Sequence, residues 1–183
     1  MSEITIGTRM TIEEFKQIPE SMERIEFIEG EIFVSPTPKF PHQDTTFSTA
    51  KVIDKLMPGG KVVVSPMDVY ITDSLVLQPD VFWISGGESL CQLGDDGYWH
   101  GAPDLVVEVA SPSTVSRDRG VKFKLYEQHG VREYWLMDPI AKFIEVYVLR
   151  EEQFVRLGLY EIEQTFKSPV LGVDIPVKEL FGS

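Results

Sequence analysis

Cysteine is almost missing: Cys91 is the only one in 183 residues. That excludes an internal disulfide and any zinc site built on a CxxC pair. Long apolar runs are missing too, and none approaches the ~20 residues needed to span a bilayer. The N-terminus, MSEITIGTRM, has neither the basic start nor the apolar stretch of a signal peptide. The expected location is therefore the cytoplasm. Positive charge is scarce, with 17 Lys and Arg against 29 Asp and Glu and a net charge of -12. Such a chain is a poor general binder of phosphates, so any nucleic-acid surface has to be local. The signatures GxxxxGK, GxGxxG, HExxH and GxSxG are all absent.

What is present suits one domain over residues 1–183, long enough for a full core. The spacing predicts a short helix over 11–17, capped by Thr11 and closed by Pro19. RIEFIEGEIFVSP alternates about Glu29-Gly30 and reads as a β-hairpin, with Glu26, Glu29 and Glu31 mostly on its surface and one of them able to reach a metal site. Over 42–57 the period becomes helical and groups Phe47, Ala50, Val52, Ile53 and Leu56. Strands are expected over 61–71, where Pro66 implies an edge or bulge, and over 76–84, with Asp80 inside. A Gly- and Asp-rich loop covers 85–102. An apolar central strand over 105–110 carries Glu108. A helix over 118–129 ends at Gly130, a strand runs over 133–137, and a second hairpin spans 143–160. The strand-helix-strand from 105 to 137 should be a parallel crossover. The expected class is α/β with an α+β mixed sheet: a helix-strand-strand-strand-helix-strand core with β-hairpins added at both ends.

Asp80 and Glu108 each interrupt an apolar strand (PDVFWIS and PDLVVEV), and a carboxylate there must be paired, metal-bound or protonated. Two such acids in neighbouring strands suit a Mg²⁺ site, since Mg²⁺ takes hard oxygen ligands and keeps several waters. The same ion addresses the main difficulty of phosphodiester hydrolysis, an anionic target with a poor leaving group. The Val109 carbonyl is a further possible ligand, whereas Asp104 reads as a turn acid. Arg117, Arg119, Lys122 and Lys124 put four cations against one acid, Asp118, within eight residues. That is the best local surface for phosphate. The bland alternative is a solvated helix face on which Asp118 and Lys122 form a weak pair. Lys122, Tyr126 and His129 share a stripe, so Lys122 can reach a phosphate or an attacking water if the stripe faces the sheet. His42 opens the first core helix, either exposed to solvent or as a substrate contact at the mouth of the site.

The strings RIEFIEGEIFVSPTP, QPDVFWIS, PDLVVEVASPST and GVREYWLMDP resemble the Uma-type putative restriction endonuclease family, within the PD-(D/E)XK nuclease superfamily. The resemblance covers residues 11–181. It implies a restriction-endonuclease-like fold, Mg²⁺ as cofactor with Mn²⁺ as a substitute, and DNA as the nucleic-acid substrate. Asp80 and Glu108 match the two acids of the motif and are the implied metal ligands. The motif lysine should fall at position 110, which is Ala110 here. Lys122 on the following helix takes its place in this family, and His42 matches a histidine at the start of its first core helix. The expected catalytic set is Asp80, Glu108 and Lys122, with His42, Arg117, Arg119 and Lys124 binding substrate. Nucleases of this kind often act as pairs, so a homodimer is expected, with the aromatic hairpin over 143–160 as a surface. A non-catalytic binding module and a hydrolase for another phosphoester are the alternatives.

Overall fold

Between Leu77 and Val81 the chain passes from one β-sheet to another, and the fold is arranged about that passage. The structure, a computed structural model, describes residues 4–6, 9–19, 23–87, 89–111 and 118–182. The first sheet begins with β1 (Ile4–Ile6) and the hairpin β2 (Arg24–Ile28) and β3 (Glu31–Ser35). The hairpin turns at Glu29-Gly30, both with positive φ, as the sequence implies. This sheet continues through β5 (Val69–Thr72), β6 (Leu75–Leu77), β8 (Gln92–Leu93) and β9 (Trp99–His100), in the order β1-β3-β2-β6-β5-β9-β8. Helix α1 (Ile12–Phe15), closed by a Thr11–Glu14 capping box, packs on its outer side with Phe15 against Phe27 and Tyr70.

The second sheet holds the expected core. Helix α2 (Phe40–Leu56) precedes β4 (Lys61–Val64), β7 (Val81–Ile84) and β10 (Leu105–Val109). A π-helical turn (Asp118–Lys122) then runs into α3 (Phe123–Gln128), and β11 (Glu133–Asp138) pairs parallel to β10. The C-terminal hairpin β12 (Phe143–Arg150) and β13 (Gln153–Glu161) completes the order β13-β12-β11-β10-β7-β4. A small pair, β14 (Thr165–Lys167) and β15 (Asp174–Pro176), and a last turn α4 (Val177–Leu180) follow. Among the described residues no helix is long and apolar enough to cross a membrane.

Two expected strands are each broken in two. The 61–71 run splits at Ser65-Pro66, because β4 pairs with β7 while β5 belongs to the other sheet. Proline cannot donate to a ladder, and here it marks the change of sheet. The 76–84 run splits at Gln78-Pro79-Asp80, so Asp80 lies just ahead of β7 and not inside it. Helix α2 differs as well: Phe47 is 63% exposed, and the buried side is made of Thr45, Thr46, Thr49, Ala50, Val52 and Ile53. The second sheet is covered on both faces. Ala50, Val52 and Ile53 pack with Val81, Val107, Trp135 and the C-terminal segment on one side. On the other, Tyr126, Val131, Phe82, Val106 and Leu136 meet Ile28, Ile71 and Leu77 of the first sheet.

Candidate active site

The site lies where the two sheets and both core helices converge. Register places Val107 opposite Val81 on adjacent antiparallel strands, which brings Glu108 beside Asp80. Both acids are 1% exposed. Each carboxylate gives one oxygen to a scaffold contact. Asp80 Oδ2 accepts from the Val109 amide at 2.7 Å and faces His42 Nε2 at 3.2 Å. Glu108 Oε1 accepts from the Tyr126 hydroxyl at 2.7 Å and from the Lys122 ammonium. The second oxygens, Asp80 Oδ1 and Glu108 Oε2, point to a single shared cation, the guanidinium of Arg24. Its two terminal nitrogens lie 2.7 Å and 3.0 Å from them. Arg24 also donates to the Gln78 carbonyl, within the passage between sheets.

Two members of this cluster come from the hairpin, where the alternating pattern suggests a surface. Arg24 and Glu26 lie on the same side of β2 as Ile28, the side that faces the second sheet. Glu26 is fully buried: its Oε1 accepts from the Gln78 amide at 3.0 Å and from Lys122 Nζ at 2.9 Å. Of the three hairpin acids, Glu29 and Glu31 are at the surface and Glu26 is the one that reaches the cluster. Nothing in the sequence patterning taken residue by residue marks Arg24 as a member of the site. The signal that could have found it is the pair of charges two residues apart in RIEF, which alternation puts on one face with the apolar Ile28.

Lys122 is fully buried as well, not at the helix surface. The π-helical turn carries one extra residue per hydrogen-bonded ring, which shifts the helix phase and turns both Asp118 and Lys122 inward. The ammonium sits between Glu108 and Glu26, with Asp118 at the outer edge of contact at 4.0 Å. Among the described residues, four carboxylates thus surround two permanent cations.

The electrostatics follow from that crowding. Burial pushes the Asp80 carboxyl up, but Arg24, the His42 hydrogen bond and Lys122 outweigh it and hold Asp80 well below the usual range. Burial also opposes charge on His42 and on Lys122. For His42 the Asp80 contact prevails, and for Lys122 the Glu108 and Glu26 charges do, so both are raised. Lys122 is therefore an ammonium at neutral pH, a charge donor and not a base. Tyr126 is raised far above an ordinary phenol by burial and by Glu108, so its hydroxyl keeps the proton that it donates.

The remaining candidates lie elsewhere. Arg119 is paired with Glu145 on β12, which Tyr147 also contacts at 2.7 Å. Lys124 is exposed on the outer side of α3. Arg117 lies outside the described residues. Asp104 is a turn acid, as expected: it accepts from the Ser85 amide at 2.8 Å and pairs with Arg132 at 3.2 Å. His100 stacks on Tyr70 and bonds Asp96, far from this chemistry.

Among the described residues no three His, Cys, Asp or Glu side chains form a ready-made metal cage. The donor set nonetheless suits magnesium, which is commonly held by one or two carboxylates and completes its shell with water. The oxygens that would serve, Asp80 Oδ1 and Glu108 Oε2, already converge on one positive group.

Comparison with known proteins agrees with this architecture. The family model Uma2, putative restriction endonuclease, matches residues 12–178. Among solved structures, a putative nuclease belonging to DUF820 from Anabaena variabilis superposes with a TM-score of 0.76 at 21% identity, covering 94% of this chain and 97% of that one. No curated protein matches.

Proposed function

The chain belongs to the Uma2 putative restriction endonuclease family, and from that premise we propose that it is a Mg²⁺-dependent endonuclease hydrolysing phosphodiester bonds of DNA. The observation that carries this reading is the orientation of Asp80 and Glu108, each anchored through one oxygen and directing the other at a common cation. Asp80 and Glu108 hold the metal. When bound, that ion polarises the phosphate and lowers the pKa of a water. Lys122, kept charged and clamped by Glu108 and Glu26, stabilises negative charge developing on the attacked phosphoryl group. Val109 and Tyr126 fix the rotamers of the two acids. His42, at the more exposed edge and tethered to Asp80, contacts the substrate. Lys124, exposed on α3, supplies phosphate-facing charge in this reading, and Arg117 is its sequence neighbour in that role, whereas Arg119 is engaged by Glu145. A cytoplasmic homodimer completes the proposal.

A non-catalytic nucleic-acid- or partner-binding module on the same fold is the second reading. It is favoured by the net charge of -12 and by an arginine lying between the two acids. Calorimetry with Mn²⁺ and cleavage of plasmid and single-stranded DNA separate the two. The parent is expected to bind Mn²⁺ and to cleave. Asp80→Asn is expected to weaken Mn²⁺ binding beyond the ~10–100-fold typical of an outer-shell change. A parent that binds Mn²⁺ but cuts neither DNA would favour the second reading.

A further inference from the structure

We propose that Arg24 is the resident cation of the metal seat. It holds Asp80 and Glu108 together in the metal-free protein and must leave before a divalent ion can bind between them. The inference rests on the reading of these two acids as metal ligands, and adds a competitor built into the chain.

The division of labour among the carboxylate oxygens carries the argument. Val109 and His42 occupy Asp80 Oδ2, and Tyr126 and Lys122 occupy Glu108 Oε1. Among the described residues, Arg24 alone uses Asp80 Oδ1 and Glu108 Oε2, at 2.7 Å and 3.0 Å. These are the oxygens that would hold a divalent ion, and a guanidinium seated on both would compete with it for the same place. Lys122 lies on the other side of Glu108 and does not compete. Arg24 is also placed to leave. Its side chain is 16% exposed, whereas Asp80, Glu108, Glu26 and Lys122 are at most 1% exposed. It stands on the hairpin of the first sheet, not on the strands that carry the acids, so its side chain can withdraw without moving those strands. A guanidinium does not lose its proton in a protein, so it can vacate the seat only by moving. Metal affinity is therefore reduced by the fraction of molecules in which the arginine is out.

Calorimetric titration with Mn²⁺ of the parent, Arg24→Gln and Arg24→Lys tests this. An Arg-out state populated at about 10% or less predicts that Arg24→Gln binds Mn²⁺ at least ~10-fold more tightly than the parent. Arg24→Lys keeps the charge but loses the two-pronged contact, and should fall between them. If Arg24→Gln does not fold without metal, the lysine variant carries the same comparison. A crystal of the parent grown with Mn²⁺ should show the guanidinium parted from at least one carboxylate. Mn²⁺ binding in the parent with no gain in the variants overturns the proposal and leaves the metal-site reading standing. So does an ion bound beside an unmoved Arg24. Failure of all three proteins to bind Mn²⁺ refutes the metal-site reading itself, and the proposal with it. Binding by the variants alone is the strongest support.

Discussion

At the scale of single residues, burial decides what each charge can do. Lys122 reads in the sequence as one of four helix-surface cations, and its loss would then be harmless. In the fold it is fully buried between two buried carboxylates. Removing one partner of such a set leaves uncompensated charge, so Lys122→Ala should lose about 3–5 kcal/mol of stability. Adding Glu26→Gln should restore part of it. Urea denaturation checks both, and a single variant as stable as the parent would contradict the clamp. Asp104 offers a pH test away from the site. Burial would raise its carboxyl, but Ser85, Ser89 and Arg132 outweigh burial and hold it below the ordinary range. A folded pKa below the unfolded one means that Asp104 stabilises above the unfolded value of ~3.9. That contribution is lost as pH falls through the lowered folded value. Asp104→Asn should cost about 1–3 kcal/mol at neutral pH, and its deficit should shrink in acid. Melts at pH 7 and pH 3 that give equal deficits would count against this assignment.

At the scale of elements, the loop over 85–102 is the clearest difference from the sequence reading. It lacks periodicity, yet it contributes β8 and β9 to the edge of the first sheet. Strands of two residues are too short to leave a pattern. Gly101 closes this excursion: its φ is +93°, and its amide donates to the Tyr70 carbonyl at 2.9 Å. A Cβ there would run into the Leu90 carbonyl. Gly101→Ala should therefore destabilise by more than ~1 kcal/mol, read as a lowered melting temperature with the loop preferentially opened to proteolysis. Unchanged melting would show that the segment does not depend on this approach. The π-helical turn is likewise invisible to periodicity, because a single inserted residue looks like phase error. It is nevertheless what brings Asp118 and Lys122 to the sheet.

At the scale of the whole molecule, the C-terminal hairpin bears on assembly. Its aromatics, expected outside, pack inward: Phe154 lies against Phe123 and Tyr134, and Tyr160 stacks on Phe166. The outward stripe is aliphatic, Val155, Leu157 and Leu159 at 48%, 38% and 45% exposure, on the edge strand of the second sheet. An apolar edge strand is a template for pairing with another chain. The proposed dimer should use it, so light scattering at micromolar concentration should give about twice 20.8 kDa, and Leu157→Lys should return the monomer. A parent mass near 20.8 kDa throughout would refute the dimer.

The sequence by itself determined the order of the core elements, both hairpins and the neighbourhood of Asp80 and Glu108, the first just ahead of β7 and the second within the adjacent β10. These depend on local periodicity and on turn chemistry carried by a few adjacent residues. Only the tertiary structure decided that both faces of the N-terminal hairpin are covered, and so brought Arg24 and Glu26 into the cluster. Alternation along a strand says which residues share a face; what covers that face depends on a second sheet more than fifty residues away. The same limit hid the burial of Lys122, since its two carboxylate partners arrive from strands that adjoin it only after the chain has crossed between sheets.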